Sequence, residues 1–183
     1  MKTVIVINGT GGAGKDTVVR VVGNHYSVMN VSSIQPVKDA AIKLGVDPDD
    51  FHKDRTRKLL SDIKKLAIEY NNLPTQYLLG KFSQFMQSDK SIMFVHIREP
   101  KEIRKFINWA NAFMQEPVYI PEMSNEYVRI LTLFIKNREN REYGNDSDDG
   151  AAKYEYDYVY DNSGPLETLD GDFMKFFNEN IGV

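Results

Sequence analysis

The sequence predicts a doubly wound α/β fold built on a parallel sheet, and three observations lead there. Strand-like runs alternate with helical segments along the chain, the pattern of strands joined by crossover helices. The runs at 3–8 (TVIVIN) and 92–97 (IMFVHI) are nearly continuously apolar, as expected of strands covered on both faces. A glycine cluster follows the first run and passes into a helical pattern, so a ligand is expected at the carboxyl ends of the strands.

The elements follow in order. Gly9 ends the first strand, and from Lys15 the apolar spacing turns helical, with Val18, Val19, Val22 and His25 facing inward. A second strand is expected over 27–33, and Pro36 suits the first turn of a helix that runs to Leu44 and stops at Gly45. Residues 54–70 read as a charged amphipathic helix with Leu59, Ile63, Leu66, Ala67 and Tyr70 inward. Another helix follows Pro74, with the stripe Leu78, Leu79, Phe82, Phe85 and Met86. After the strand at 92–97, Pro100 opens a helix that turns Ile103, Phe106, Ile107, Ala110, Phe113 and Met114 inward, with Trp109 at the edge of that stripe. A fourth strand is expected over 128–135, and 136–152 is polar and acidic. The period-two run YEYDYVYD at 154–161 predicts an edge strand with its four tyrosines on one packed face, and 166–180 closes as an amphipathic helix.

Bulk properties narrow the function. A chain of 183 residues with 42% hydrophobic residues supports one core, and the whole of 1–183 is read as a single domain. A net charge of −3 argues against stable nucleic-acid binding and leaves room for a small anion in a local basic pocket. The absence of cysteine removes disulfides, thiolate metal sites and cysteine nucleophiles. The apolar run Val4 to Ile7 is too short for a signal-peptide core, and no later run approaches a membrane span; a cytoplasmic protein without a membrane partner is expected.

The chemistry lies in residues 9–17, GTGGAGKDT, where Gly9, Gly14 and Lys15 have the spacing G-x-x-x-x-G-K between a strand and a helix. In such a loop the backbone amides from Gly9 through Gly11, Gly12, Ala13 and Gly14 to Lys15 turn toward phosphate oxygens. The helix N-terminus adds partial positive charge, and Lys15 adds a full one. The plainer alternative is a glycine-rich turn. Asp16 stands where Ser or Thr usually follows the lysine, with Thr17 next, so Asp16 and Thr17 are the candidate Mg²⁺ ligands. A carboxylate in the first helical turn is also favourable without any metal.

GKDT resembles the loop of phage-type deoxynucleoside monophosphate kinases, and Thr17 matches a threonine of the adenylate kinases. QPVKDAAIKLG at 35–45 resembles the segment after their second strand, and YDYVYDNSGPLETL at 157–170 resembles their last strand, turn and helix, a pattern shared with dephospho-CoA kinases. The resemblance implies a three-layer P-loop NTPase fold with a five-stranded parallel sheet of order 2-3-1-4-5. It also implies transfer of the γ-phosphoryl group of ATP, with Mg²⁺, to a (deoxy)nucleoside monophosphate.

On the same resemblance, Asn162, Ser163 and Gly164 lie beside the nucleotide base, although Asn, Ser, Gly and Pro165 would equally make a simple turn. Arg98 in HIREP belongs on the acceptor side; its alternative is a surface pair with Glu99 or Glu102. Arg138 and Arg141 fall in a short lid at 136–152, where an arginine can fork onto phosphate. Residues 36–88 form the acceptor-binding helices, with Lys38, Asp39 and Arg57 as candidates; the charge run around Arg57 would otherwise be a solvated face. His96 replaces an acidic residue of these kinases. A kinase for a coenzyme-like metabolite and a degenerate nucleotide binder stay open as alternatives. A GTPase does not, because no N-K-x-D motif is present.

Overall fold

The computed structural model describes residues 1–115, 128–136, 151, 153–165 and 167–182. Five strands, β1 (Lys2–Gly9), β2 (Val28–Ser32), β3 (Ile92–His96), β4 (Val128–Lys136) and β5 (Tyr158–Asp161), form one sheet of order β2-β3-β1-β4-β5. Every neighbouring pair is parallel. The expected fold and strand order are both present. β1 is central and all of its residues are buried, which is why it carries no solvent-facing alternation.

The alternation within β1 instead divides two cores. Ile5 and Ile7 pack with α1 (Lys15–Gly23) and with the closing helix, through Val18, Val22, Phe173 and Phe177. Val4 and Val6 point the other way, toward Leu78, Phe82, Ile103 and Phe106 on the helices Leu73–Met86 and Pro100–Gln115. Helices therefore cover both faces. Among the described residues the α-helices after α1 are, in chain order, α2 (Gln35–Lys43), α3 (Asp54–Asn71), α4 (Leu73–Met86), α5 (Pro100–Gln115) and α6 (Leu169–Phe176), the last continuing into a π-helical turn, Phe177–Ile181. The stripes expected on α4 and α5 are those observed, and Trp109 stays partly exposed at the margin of α5.

Three expectations change. On α3 the inward residues are Thr56 and Leu60, with Ile63 packed behind them, while Leu59, Leu66 and Tyr70 face solvent. The helix is rolled by about one residue from the face expected, because Lys64 turns inward and places its ammonium 2.7 Å from both carboxylate oxygens of Glu99. His25 is exposed, and Tyr26 packs on Phe177 in its stead. The four tyrosines do not share a face: Tyr158 and Tyr160 join the core of Ile5 and Ile7, and Tyr154 and Tyr156 join the other. Asp157 is the pivot between them. Its carboxylate accepts from the Thr132 backbone N–H at 2.7 Å and hydroxyl at 2.8 Å, which pins the chain where it crosses the sheet edge.

Candidate active site at the carboxyl ends of the strands

β1 runs directly into the glycine loop. A Cβ at Gly9 would lie 2.4 Å from the carbonyl oxygen of Ile135, so only glycine lets β1 leave the sheet this close to β4. At the other end of the loop Gly14 caps α1 in the left-handed region, with φ 86°. No side chain caps this helix, and the first-turn amides of an α-helix have no acceptor of their own, so this end suits an anion. Lys15 Nζ donates to the carbonyls of Gly9 at 2.7 Å and Thr10 at 2.9 Å, which holds its charge over the loop.

Asn162 reaches this loop from the end of β5. Its side-chain amide donates to the Ala13 carbonyl at 2.9 Å, and its backbone N–H donates to Lys136 at 2.7 Å. A Cβ on Gly14 would meet the same amide nitrogen at 2.4 Å. The turn at 162–165 is thus packed on the glycine loop, with Ser163 half-buried and Gly164 exposed.

His96 ends β3 opposite Ile7 in register. Its Nε2 is 2.9 Å from the Asn30 carboxamide oxygen, which can only accept, so Nε2 carries the ring proton. Burial pushes the imidazole below its usual value; nearby Asp16 opposes this and Lys15 adds to it. His96 thus lies within electrostatic reach of Asp16 and Lys15 at the start of α1.

Asp16 is exposed and Thr17 half-buried in the first turn of α1. One carboxylate and one hydroxyl fit Mg²⁺, which is usually held by one or two protein oxygens together with phosphates and water. No group of three or more His, Asp or Glu that could hold a metal occurs among the described residues.

Arg98 follows β3 with an exposed side chain, and its backbone carbonyl accepts from Asn8 Nδ2 at 2.9 Å. Of the acidic residues near it, Glu99 pairs with Lys64 at 2.7 Å and Glu102 with Lys105 at 2.9 Å. The remaining acceptor-side candidates have contacts inside the helical region. Lys38 Nζ lies 5.2 Å above the Phe51 ring, Asp39 accepts from Gln35 at 2.8 Å, and Arg57 pairs with Asp54 at 3.8 Å on an exposed face. Arg138 and Arg141, with nearly all of the expected lid, lie outside the described residues.

Asn8, Asn30 and Tyr156, which contact His96 or the ends of β1 and β3, belong to no motif, and Tyr156 is expected only as one of four packed tyrosines. Asn8 had a visible signal, an amide ending an apolar buried run; nothing local marked the other two.

No family model matches the chain, and no curated protein matches it. Among solved structures, an unliganded sugar kinase from Janibacter sp. HTCC2649 aligns over 100% of this chain and 96% of its own, at 12% identity and a TM-score of 0.50. The likeness is one of fold. The protein TT1252 from Thermus thermophilus aligns over 97% of each chain, at 15% identity and a TM-score of 0.48.

Proposed function

We propose that the chain is an ATP-dependent phosphotransferase that acts on a small phosphorylated acceptor, a ribo- or deoxyribonucleoside monophosphate. The observation that carries this reading is the loop itself: glycines at its two sterically closed positions, an uncapped helix N-terminus behind it, and Lys15 folded over it. Backbone amides there bind the donor phosphates, and Lys15 neutralises charge on the transferred group.

Mg²⁺, when bound, would screen the phosphates and hold them in line, and Asp16 with Thr17 are the residues to hold it. Arg98 is assigned to the acceptor phosphate, with Lys38, Asp39 and Arg57 on the acceptor helices. Arg138 and Arg141 are assigned to the transferred group, and Asn162 with Gly164 to the edge of the base pocket. All of these assignments follow the resemblance to deoxynucleoside monophosphate kinases. A phosphate acceptor is ionised at neutral pH, so holding donor and acceptor in line needs no strong base from the protein.

The test is a turnover screen of the common ribo- and deoxyribonucleoside monophosphates with Mg-ATP, scored by ADP formation, with dephospho-coenzyme A in the same panel. Acceptor-dependent ADP from one or a few monophosphates supports the reading. Turnover with the coenzyme precursor alone moves the acceptor class, and ATP binding without acceptor-dependent turnover refutes the kinase.

A further inference from the structure

The last residue of β1 before Gly9 is polar although its surroundings are core. Asn8 is 1% exposed. Its Oδ1 accepts from the Gly9 N–H at 2.8 Å, and its Nδ2 donates to the Arg98 carbonyl at 2.9 Å and to the Tyr156 hydroxyl at 2.8 Å. The Tyr156 hydroxyl in turn donates a hydrogen bond to the Ala151 carbonyl at 2.9 Å. Carbonyl oxygens only accept, so the direction of each bond is fixed, and both amide protons and the phenol proton are used.

Two rings hold the phenol: Phe134 at 4.9 Å and Tyr154 at 4.8 Å between centroids. Burial raises the phenol to about 12, so it keeps its proton at any working pH. A buried amide costs free energy unless every polar atom is paired, and a fully paired one makes the groups it joins rigid. Here the pairing runs to the backbone of two loops. One opens the phosphate loop at Gly9, whose carbonyl also receives Lys15, and the other carries Arg98 away from β3.

We propose that Asn8 and Tyr156 are positioning residues that fix the Arg98 turn against the Gly9 loop, so that Arg98 and Lys15 address one continuous phosphate chain. This rests on the phosphotransferase reading and names two residues that the reading does not use. Tyr156→Phe removes only the hydroxyl and leaves both ring contacts. It leaves an Asn8 N–H and the Ala151 carbonyl without their partner, and frees the Arg98 turn to shift.

The probes are ATP and adenosine 5′-pentaphosphate, which carries two phosphates beyond ATP and needs no acceptor base. Calorimetric affinities for both are measured on wild type, Tyr156→Phe, Arg98→Ala and the double variant. Expected is a loss of about tenfold or more in pentaphosphate affinity for Tyr156→Phe, with ATP affinity within about twofold of wild type. Arg98→Ala should show the same selective loss, and the double variant no more than the larger single loss, since one residue acts through the other. Equal weakening of both ligands by Tyr156→Phe, no weakening at all, or losses that add in the double variant would overturn the proposal. Wild type that binds ATP but gains nothing from the two further phosphates overturns it as well and leaves the phosphate loop standing. Wild type that binds neither ligand refutes the nucleotide reading itself.

Discussion

Replacing Gly9 with alanine should be among the most damaging single-methyl additions in the molecule, and the structure allows its cost to be worked out. The new Cβ would sit 2.4 Å from the Ile135 carbonyl oxygen, a separation that real Cβ atoms essentially never show. Ile135 belongs to β4, which is paired on both sides, with β1 and with β5, so that carbonyl has no freedom to withdraw. Overpacking of this kind costs about 1–3 kcal/mol. Gly9 also has φ +152°, and a backbone conformation rare for residues with side chains adds about 1–3 kcal/mol. The sum, roughly 2–6 kcal/mol, is a large share of the about 5–15 kcal/mol that stabilises a typical domain. At about 2–4 °C per kcal/mol for a chain of this size, Tm should fall by roughly 5–20 °C. Two controls isolate the contributions. Gly45→Ala has φ +89° but open space around its Cβ, so it bears the backbone cost alone, and Gly23→Ala has neither burden and should match or exceed wild type. Thermal melts followed by circular dichroism read all three. A Gly9→Ala melt within about 2 °C of wild type, or a Gly45→Ala loss as large as that of Gly9→Ala, would refute the seating of β1 against β4.

Lys15→Ala should lower acceptor-dependent turnover by roughly 10²–10³-fold while far-UV circular dichroism stays unchanged; a folded variant with near-normal rate would remove Lys15 from catalysis. Asp16→Asn should raise the Mg²⁺ concentration for half-maximal turnover by roughly tenfold, and an unchanged Mg²⁺ titration would show that the carboxylate does not serve the metal. His96 has a folded-state pKa below its ordinary value of 6.5, so as pH falls through 6.5 the unfolded chain takes up a proton that the folded protein refuses. Stability should therefore decline from pH 6.5 down to the lowered pKa and then level off. His96→Gln should flatten that part of the profile, and an identical slope in the variant would exclude His96 as its source.

Much of the architecture could be read from the chain because β1, β3, α4 and α5 are buried through residues whose spacing states their environment. α3 misled for a definable reason. Leu59 and Leu60 are adjacent leucines about 100° apart around a helix, either of which completes an apolar stripe. The choice was made by Lys64 and Glu99, an ion pair 35 residues apart in sequence that makes an inward lysine tolerable. The tyrosine run misled similarly, since period two implies a single face only while the strand stays in its sheet. Asp157, through its bonds to Thr132, takes it out.

In the site, the positions of Gly9, Gly14 and Lys15 were legible because a loop motif fixes backbone shape locally. The bond from Asn162 to Ala13 and the one from Tyr156 to Asn8 join residues about 150 apart in sequence. No periodicity encodes such contacts. His96 was recognisable as a departure from the acidic pattern, but its proton position became definite only with Asn30 beside it.

The central place of β1 also bears on how the protein is made. β1 precedes the other described elements, yet its sheet neighbours are β3, which starts at Ile92, and β4, which starts at Val128. In a nascent chain the run TVIVIN therefore keeps both hydrogen-bonding edges unpaired until β3 and β4 have followed it from the ribosome. At about 5–20 residues per second, that interval lasts from several seconds to about half a minute. Long-range parallel pairing of this kind is slow and prone to aggregation before it completes. Synthesis rate and chaperone supply during that interval should govern soluble yield more than the stability of the finished fold. The glycine loop is synthesised well before β4, and Gly9 is seated only once Ile135 arrives beside it.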